Sequence, residues 1–187
     1  MEIIAFGYKK GSGKNTIAKF LSTHIRCTHP GLKVTEVSFA AKVKDISYQL
    51  YGWLGLKRGI YYETHRDEKE RPLELITLSP RQIWIGVGNK LREIYPDTWI
   101  NYALNSVKGD IIIITDLGFI NEAKAIRNQN GKLIKIIREG IPTGTDARET
   151  ELDNWADWDS IIKNSGSLDN LYNESVLLWS KIENEQI

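Results

Sequence analysis

The sequence predicts an α/β fold, a three-layer sandwich in which a mostly parallel sheet is flanked by helices. Three observations carry that prediction. Short apolar, β-branched runs alternate with stretches of helical period along the 187-residue chain. One run, Ile111-Ile112-Ile113-Ile114, is uninterrupted, the pattern of a strand buried on both faces. The strands are separated by helices, so they run parallel through right-handed crossovers.

In chain order, residues 3–6 read as a strand. Residues 16–26 read as a helix, with Ile17, Phe20, Leu21 and Ile25 on its apolar face. Residues 34–39 read as a second strand. Residues 40–51 read as a helix carrying Val43, Ile46, Tyr48 and Leu50, closed by Gly52. Residues 57–81 break the alternation. They are rich in charge, with Arg66-Asp67-Glu68-Lys69-Glu70-Arg71 unbroken, and read as a solvated loop or helix face. Ser79 or Pro80 opens the next helix, which runs through Ile83, Val87 and Leu91. After the isoleucine strand, residues 120–130 read as a helix stopping at Gly131, and 133–137 as a strand. Residues 139–145, with Gly140, Pro142 and Gly144, read as a flexible zone. The last helix, over 171–182, is expected to dock Leu177, Leu178 and Trp179.

Composition narrows the function. Apolar residues make up 41% and charged residues 26%, so a packed core rather than disorder is expected. Lys plus Arg is 25 and Asp plus Glu is 24, and a net charge of +1 gives no global attraction to nucleic acid or anionic membrane. No apolar run approaches the roughly 18 residues of a membrane span. The first seven residues read as a strand rather than a signal peptide, and the expected compartment is the cytoplasm. A single cysteine, Cys27, excludes an intramolecular disulfide and a cysteine-rich zinc site. His24, His29 and His65 have no metal-ligand spacing.

The strongest chemical signal is Gly7-Tyr8-Lys9-Lys10-Gly11-Ser12-Gly13-Lys14-Asn15-Thr16. It follows a strand and opens a helix, the context of a phosphate-binding loop. Glycines let successive N–H groups point inward at phosphate oxygens, and the helix start adds partial positive charge. Gly11, Ser12, Gly13, Lys14, Asn15 and Thr16 are therefore expected to hold a nucleotide. Lys14 is expected on the β- and γ-phosphates, and Thr16 near Mg²⁺. Two features depart from the standard spacing. Tyr8 holds the position of its first glycine, and Asn15 follows Lys14 where Ser or Thr is usual. Asp116, at the C-terminal end of the isoleucine strand, sits where open α/β sheets bind ligands, so it is expected to hold Mg²⁺ or orient an acceptor.

These residues, with others in the same order along the chain, resemble the deoxynucleoside monophosphate kinases of bacteriophages and their bacterial relatives, P-loop kinases of the adenylate-kinase type. Lys10-Gly11-Ser12-Gly13-Lys14-Asn15-Thr16 is similar to a G-x-K-x-S-G-K-D-T loop. Phe39-Ala40-Ala41-Lys42-Val43-Lys44 and Leu50-Tyr51-Gly52-Trp53 resemble F-A-D-x-L-K and L-F-G-W. Arg66-Asp67-Glu68-Lys69-Glu70, Ser79-Pro80-Arg81 and Pro96-Asp97-Thr98-Trp99 match R-D-E-K-E, S-P-R and P-D-x-W. Ile114-Thr115-Asp116-Leu117-Gly118-Phe119-Ile120-Asn121-Glu122-Ala123 resembles I-T-D-V-R-F-P-N-E-A. Glu149-Thr150-Glu151-Leu152-Asp153 and the run from Ile162 to Leu168 match E-T-E-L-D and I-x-N-x-G-S-L.

The resemblance implies a single P-loop NTPase-type domain over 1–187, with an acceptor-binding insertion at 57–105 and a lid-like loop at 139–150. It implies transfer of phosphate from ATP, with Mg²⁺, to a deoxynucleoside 5′-monophosphate. No nucleic acid or membrane takes part, and a homodimer and a host cytoplasm follow if the family's habits hold. By the same resemblance Lys10, Arg66, Arg81 and Arg92 bind the acceptor phosphate. Trp99 or Tyr61 stacks on its base, Arg138 and Arg148 are lid arginines that close over the transferring group, Arg138 the better placed of the two, and Asn164 borders adenine. The chain also departs from the pattern. Gly118 stands in the place of an arginine, which Arg92 or Arg148 would have to replace if it touches a phosphate; Ala41 and Asn15 stand in the places of aspartates, and Arg148 where a small residue is commoner. These departures keep two other readings open: a nucleotide-binding sensor without transfer, and a P-loop kinase of another small phosphorylated acceptor.

Overall fold

The isoleucine-rich runs form the sheet. The computed structural model describes residues 1–141 and 147–185. They group into two units, one of Met1–Val37 with Ser106–Ile187 and one of Ser38–Asn105.

The first unit holds strands β1 (Glu2–Gly7), β2 (Val34–Val37), β3 (Ile111–Leu117), β4 (Lys132–Ile137) and β5 (Ser160–Lys163), in the order β2-β3-β1-β4-β5. Every pairing is parallel. Side chains alternate between faces along each strand. Ile4, Phe6, Ile111, Ile113, Ile134 and Ile136 share one core with Ile17, Leu21 and Ile25 of α1 (Lys14–Thr28) and Leu171, Leu178 and Trp179 of α8 (Leu168–Glu183). The intervening residues Ile3, Ile112, Ile114 and Leu133 are equally buried. On their side lies α6 (Ile120–Arg127), where a Cβ on Gly131 would meet Ile126 Cγ2 at 2.5 Å and Ile3 Cβ at 3.0 Å. Helices thus cover both faces, and the three-layer α/β sandwich is as the sequence predicts.

Several boundaries differ from expectation. The second strand ends at Val37 rather than 39, because Ser38 already caps the following helix. The helix α6 stops at Arg127 rather than running to 130, and Asn130, at φ 58°, makes a left-handed turn just before Gly131. Leu178 and Trp179 are docked, but Leu177 points away and is 55% exposed, since three consecutive helical residues cannot share one face. The strand β5 and the helix α5 (Thr98–Ser106) were not evident from pattern. Within the lid-like stretch, residues 142–146, Pro142 and Gly144 included, lie outside the described residues. Residues 147–150 form the short helix α7 (Ala147–Thr150).

The second unit holds α2 (Phe39–Tyr51), α3 (Tyr61–Thr64), α4 (Pro80–Ile94) and most of α5. As expected, α2 ends at Tyr51 with Gly52 as its C-cap, but Gly52 keeps a right-handed backbone at φ −59°. The chain continues into a 3-10 turn over Gly52–Leu54, and Gly55, at φ 95°, ends it. The expected start of α4 holds in detail: Ser79 accepts the Gln82 N–H, and the Gln82 side chain returns to the Ser79 N–H. A small core of Leu56, Tyr62 and Ile83 carries Trp84 and Val87 against it. The charged run forms a 3-10 turn over Arg66–Glu70 with no buried residue.

Candidate active site

The loop between β1 and α1 has the backbone of an anion cradle. Gly11 and Gly13 lie at φ 81° and 103°, where side chains are strained. Gly13 is also the N-cap of α1, and a Cβ there would fall 2.5 Å from Asn164 Nδ2. That amide donates to Ser12 O at 2.9 Å, so Asn164, just after β5, braces the back of the loop. Tyr8 stands at the first-glycine position and takes a left-handed backbone of the kind that favours glycine, at φ 95°. Its ring lies under the Lys135 ammonium, 4.1 Å from the centroid. Gly7 answers a different need, for a Cβ there would strike the Trp158 ring at 2.7 Å.

Two observations test the cradle against a phosphate. The Ser12 hydroxyl is wholly buried and finds no partner among the described residues, a donor waiting for an oxygen. The Lys14 ammonium is folded back onto the loop, donating to Tyr8 O at 2.8 Å and Lys9 O at 2.6 Å. Burial pulls its pKa from the ordinary 10.5 to about 8. The Glu149 carboxylate opposes that shift, the Arg148 guanidinium adds to it, and Asp116 opposes it. A buried donor, two left-handed glycines and a desolvated lysine at a helix start suit a polyphosphate.

The end of β3 supplies the second wall. Gly7 of β1 lies opposite Leu117 of β3, which brings Asp116 beside the start of the loop. Asp116 is bound by Arg148, whose Nη2 reaches its carbonyl and its Oδ2, the latter at 3.0 Å. The turn after β3 is fixed from beneath: Glu122, 1% exposed, accepts the N–H groups of Gly118 at 2.9 Å and Phe119 at 3.1 Å. Thr16, in the first turn of α1, is half-buried.

The segment from Glu149 to Asp153, read only as a motif, closes on the loop. Glu149 Oε2 accepts the Lys10 N–H at 2.8 Å, so a carboxylate oxygen already rests on a loop amide. The Lys9 ammonium, 8% exposed, is held by the Glu149 carbonyl and the Asp153 carboxylate. The E-T-E-L-D resemblance was the one signal for these residues. Spacing could not show it, because 139 residues separate the partners Lys10 and Glu149.

The remaining candidates are spread. The Lys10 side chain and Arg138, directly after β4, are exposed. Asn15 is exposed at the start of α1. In the second unit Arg66 is exposed, and its Nε donates to Glu63 O at 3.4 Å. Arg81 pairs with Glu70, its Nε 3.8 Å from Glu70 Oε1. Arg92 lies along α4 beside Gly88. Trp99 is 2% exposed and donates to Gly88 O at 3.1 Å, so its ring is part of that unit's interior rather than an open stacking face. Tyr61 stacks on His65, with centroids 4.0 Å apart, and its hydroxyl donates to Glu68. Among the described residues no helix is long and apolar enough to cross a membrane.

No protein-family model matches the chain. It is 27% identical over 194 residues to a protein of Acanthamoeba polyphaga mimivirus named "Putative deoxynucleotide monophosphate kinase", a match covering 94% of this chain and 95% of that one. Among solved structures it is similar to a dephospho-CoA kinase from Campylobacter jejuni, with 17% identity, full coverage of both chains and a TM-score of 0.48. A shikimate kinase from Aquifex aeolicus shares 15% identity over 98% of each chain, with a TM-score of 0.41. The ordered motifs and the whole-length viral likeness agree: this chain resembles the deoxynucleoside monophosphate kinases.

Proposed function

We propose that the protein transfers the γ-phosphoryl group of ATP to a deoxynucleoside 5′-monophosphate. The observation that carries this reading is the pairing of an anion cradle with Asp116 at the end of the neighbouring strand. The viral relative's name supplies the acceptor class.

Phosphoryl transfer asks the protein mainly for position and charge. The amides of Gly11, Ser12, Gly13 and Lys14 bind the donor's phosphate tail, and the Ser12 hydroxyl gains the oxygen it lacks. The Lys14 ammonium leaves the Tyr8 and Lys9 carbonyls for the phosphates and balances charge developing on the migrating group. Thr16 and Asp116 would hold Mg²⁺, which neutralises charge between the phosphates. The exposed Arg138 is the candidate to close over the transferring group. Lys10, Arg66, Arg81 and Arg92 are candidates for the acceptor phosphate, because guanidinium binds its oxygens in pairs.

A coupled assay tests the reading with ATP, Mg²⁺ and each standard and modified deoxynucleoside monophosphate in turn. ADP formed only when one of these acceptors is present is the expected result. ATP binding without acceptor-dependent turnover would make the protein a sensor instead. Turnover with only another phosphorylated small molecule would move it to a different kinase class.

A further inference from the structure

Two departures from the motif pattern are reciprocal. The chain has glycine at 118, where the pattern has arginine, and arginine at 148, where it more often has a small residue. In the folded protein the two positions meet. A Cβ on Gly118 would lie 2.5 Å from Arg148 Cγ, 2.9 Å from Nε and 3.3 Å from Cδ. The stem of Arg148 therefore runs through the space that any side chain on 118 would enter. Gly118 is not among the residues of positive φ, so its backbone does not demand glycine. The crossing side chain does.

That crossing sets the guanidinium at the end of β3. Its Nη2 sits on the Asp116 carbonyl and carboxylate, and its charge is felt at Lys14. The side chain keeps 31% exposure, so a dissolved anion can reach it. The turn after β3 has its own support apart from Arg148, because Glu122 accepts the N–H groups of Gly118 and Phe119. The donor's phosphates have the loop amides and Lys14 on the β1–α1 side. A cation one strand away is placed for a second phosphate.

We infer that Arg148, reaching across Gly118, is the guanidinium that binds the phosphomonoester of the acceptor, delivered from α7 rather than from the β3–α6 turn. This rests on the kinase reading above and assigns that site its phosphate-binding arginine. Asp116 orients the guanidinium until a phosphate dianion shares it.

The test is an exchange of the two residues. Binding of the acceptor monophosphate is measured by calorimetry and its KM by steady-state assay, for the wild type, R148A, R148K and the double variant G118R/R148A. R148A is expected to weaken acceptor binding and raise acceptor KM by about 10- to 100-fold, with the KM for ATP changed by less than about threefold. R148K should recover only part of the loss, because an ammonium cannot bind two oxygens side by side. G118R/R148A should restore most of it, since the new arginine enters the space the old one left. Unchanged acceptor binding in R148A overturns the inference while the kinase stands. So does a loss confined to ATP, or a folded double variant as weak as R148A. A wild type that turns over no deoxynucleoside monophosphate overturns the kinase reading itself, a result no Arg148 variant can produce.

Discussion

In the first unit Gly13 sits at φ 103° with its would-be Cβ 2.5 Å from Asn164 Nδ2. In the second, Gly86 lies inside α4 with nothing within 4 Å of where a Cβ would stand. The charges differ in the same way. Lys9 and Lys14 are drawn inward onto carbonyls and a carboxylate, whereas Lys90–Glu93 and Arg71–Asp67 are exposed pairs within one helical turn of each other. Such surface pairs contribute about 0–1 kcal/mol each. Around the phosphate loop each residue answers to several neighbours. Along the second unit's outer face the chain has slack. A functional assignment made from a single residue is therefore safer in the first unit than in the second.

The largest expected effect breaks or confirms the first side of that contrast. Lys14→Ala should leave the fold intact and lower turnover by roughly 10²- to 10³-fold or more, since it removes a donor to developing charge. Near-normal turnover would show that the cradle is not the donor site. Its pH dependence follows from burial. The folded pKa is about 8 against 10.5 unfolded, so between those values the unfolded chain holds a proton the folded one has shed. In that window Lys14 makes stability rise with pH, while nucleotide affinity should fall because the ammonium is lost. Titrating ATP binding from pH 7 to 10 in the wild type and Lys14→Ala checks this. An equal pH slope in both would assign the effect elsewhere.

Gly13→Ala comes next. It combines a strained φ with a clash on the amide that braces Ser12, and should cost about 1–3 kcal/mol together with most of the nucleotide affinity. Denaturant unfolding and calorimetry read the two losses separately. Arg81→Ala probes the second unit, where Arg81 pairs with Glu70. Acceptor KM should rise several-fold more than the KM for ATP, and a change confined to ATP would move Arg81 to the donor side. The smallest effect has the opposite sign. Gly86→Ala should stabilise the protein by about 0.5–1 kcal/mol by removing glycine from an open helix position. A destabilised Gly86→Ala would mean that this face of α4 has less room than its surroundings suggest.

Legibility followed the range of the interaction. The β-branched run at 111–114, the glycine-lysine turn and the Ser79-Pro80 start are local signals, and each produced its element where expected. Ser160-Ile161-Ile162-Lys163 did not, because an edge strand of four residues with only Ile162 buried leaves too little alternation to read. In the site, Lys14 and Asp116 were evident from strand–loop–helix logic. The bond from Asn164 to Ser12 was not evident, because 152 residues separate the two. The part played by Glu149 and Asp153 was out of reach of any spacing rule.

The sequence by itself determined the α/β class, the phosphate loop and the acid at the end of β3. Helix and strand period, and the conformational freedom of glycine, act over a few residues. Only the tertiary structure decided that Tyr8 would take a left-handed backbone, that Glu149 would rest on the Lys10 amide, and that Arg148 would lie across Gly118. Those contacts join residues brought together by parallel strand pairing and by the return of the chain after β4. They exist only once the sheet has placed the C-terminal ends of β1 and β3 side by side.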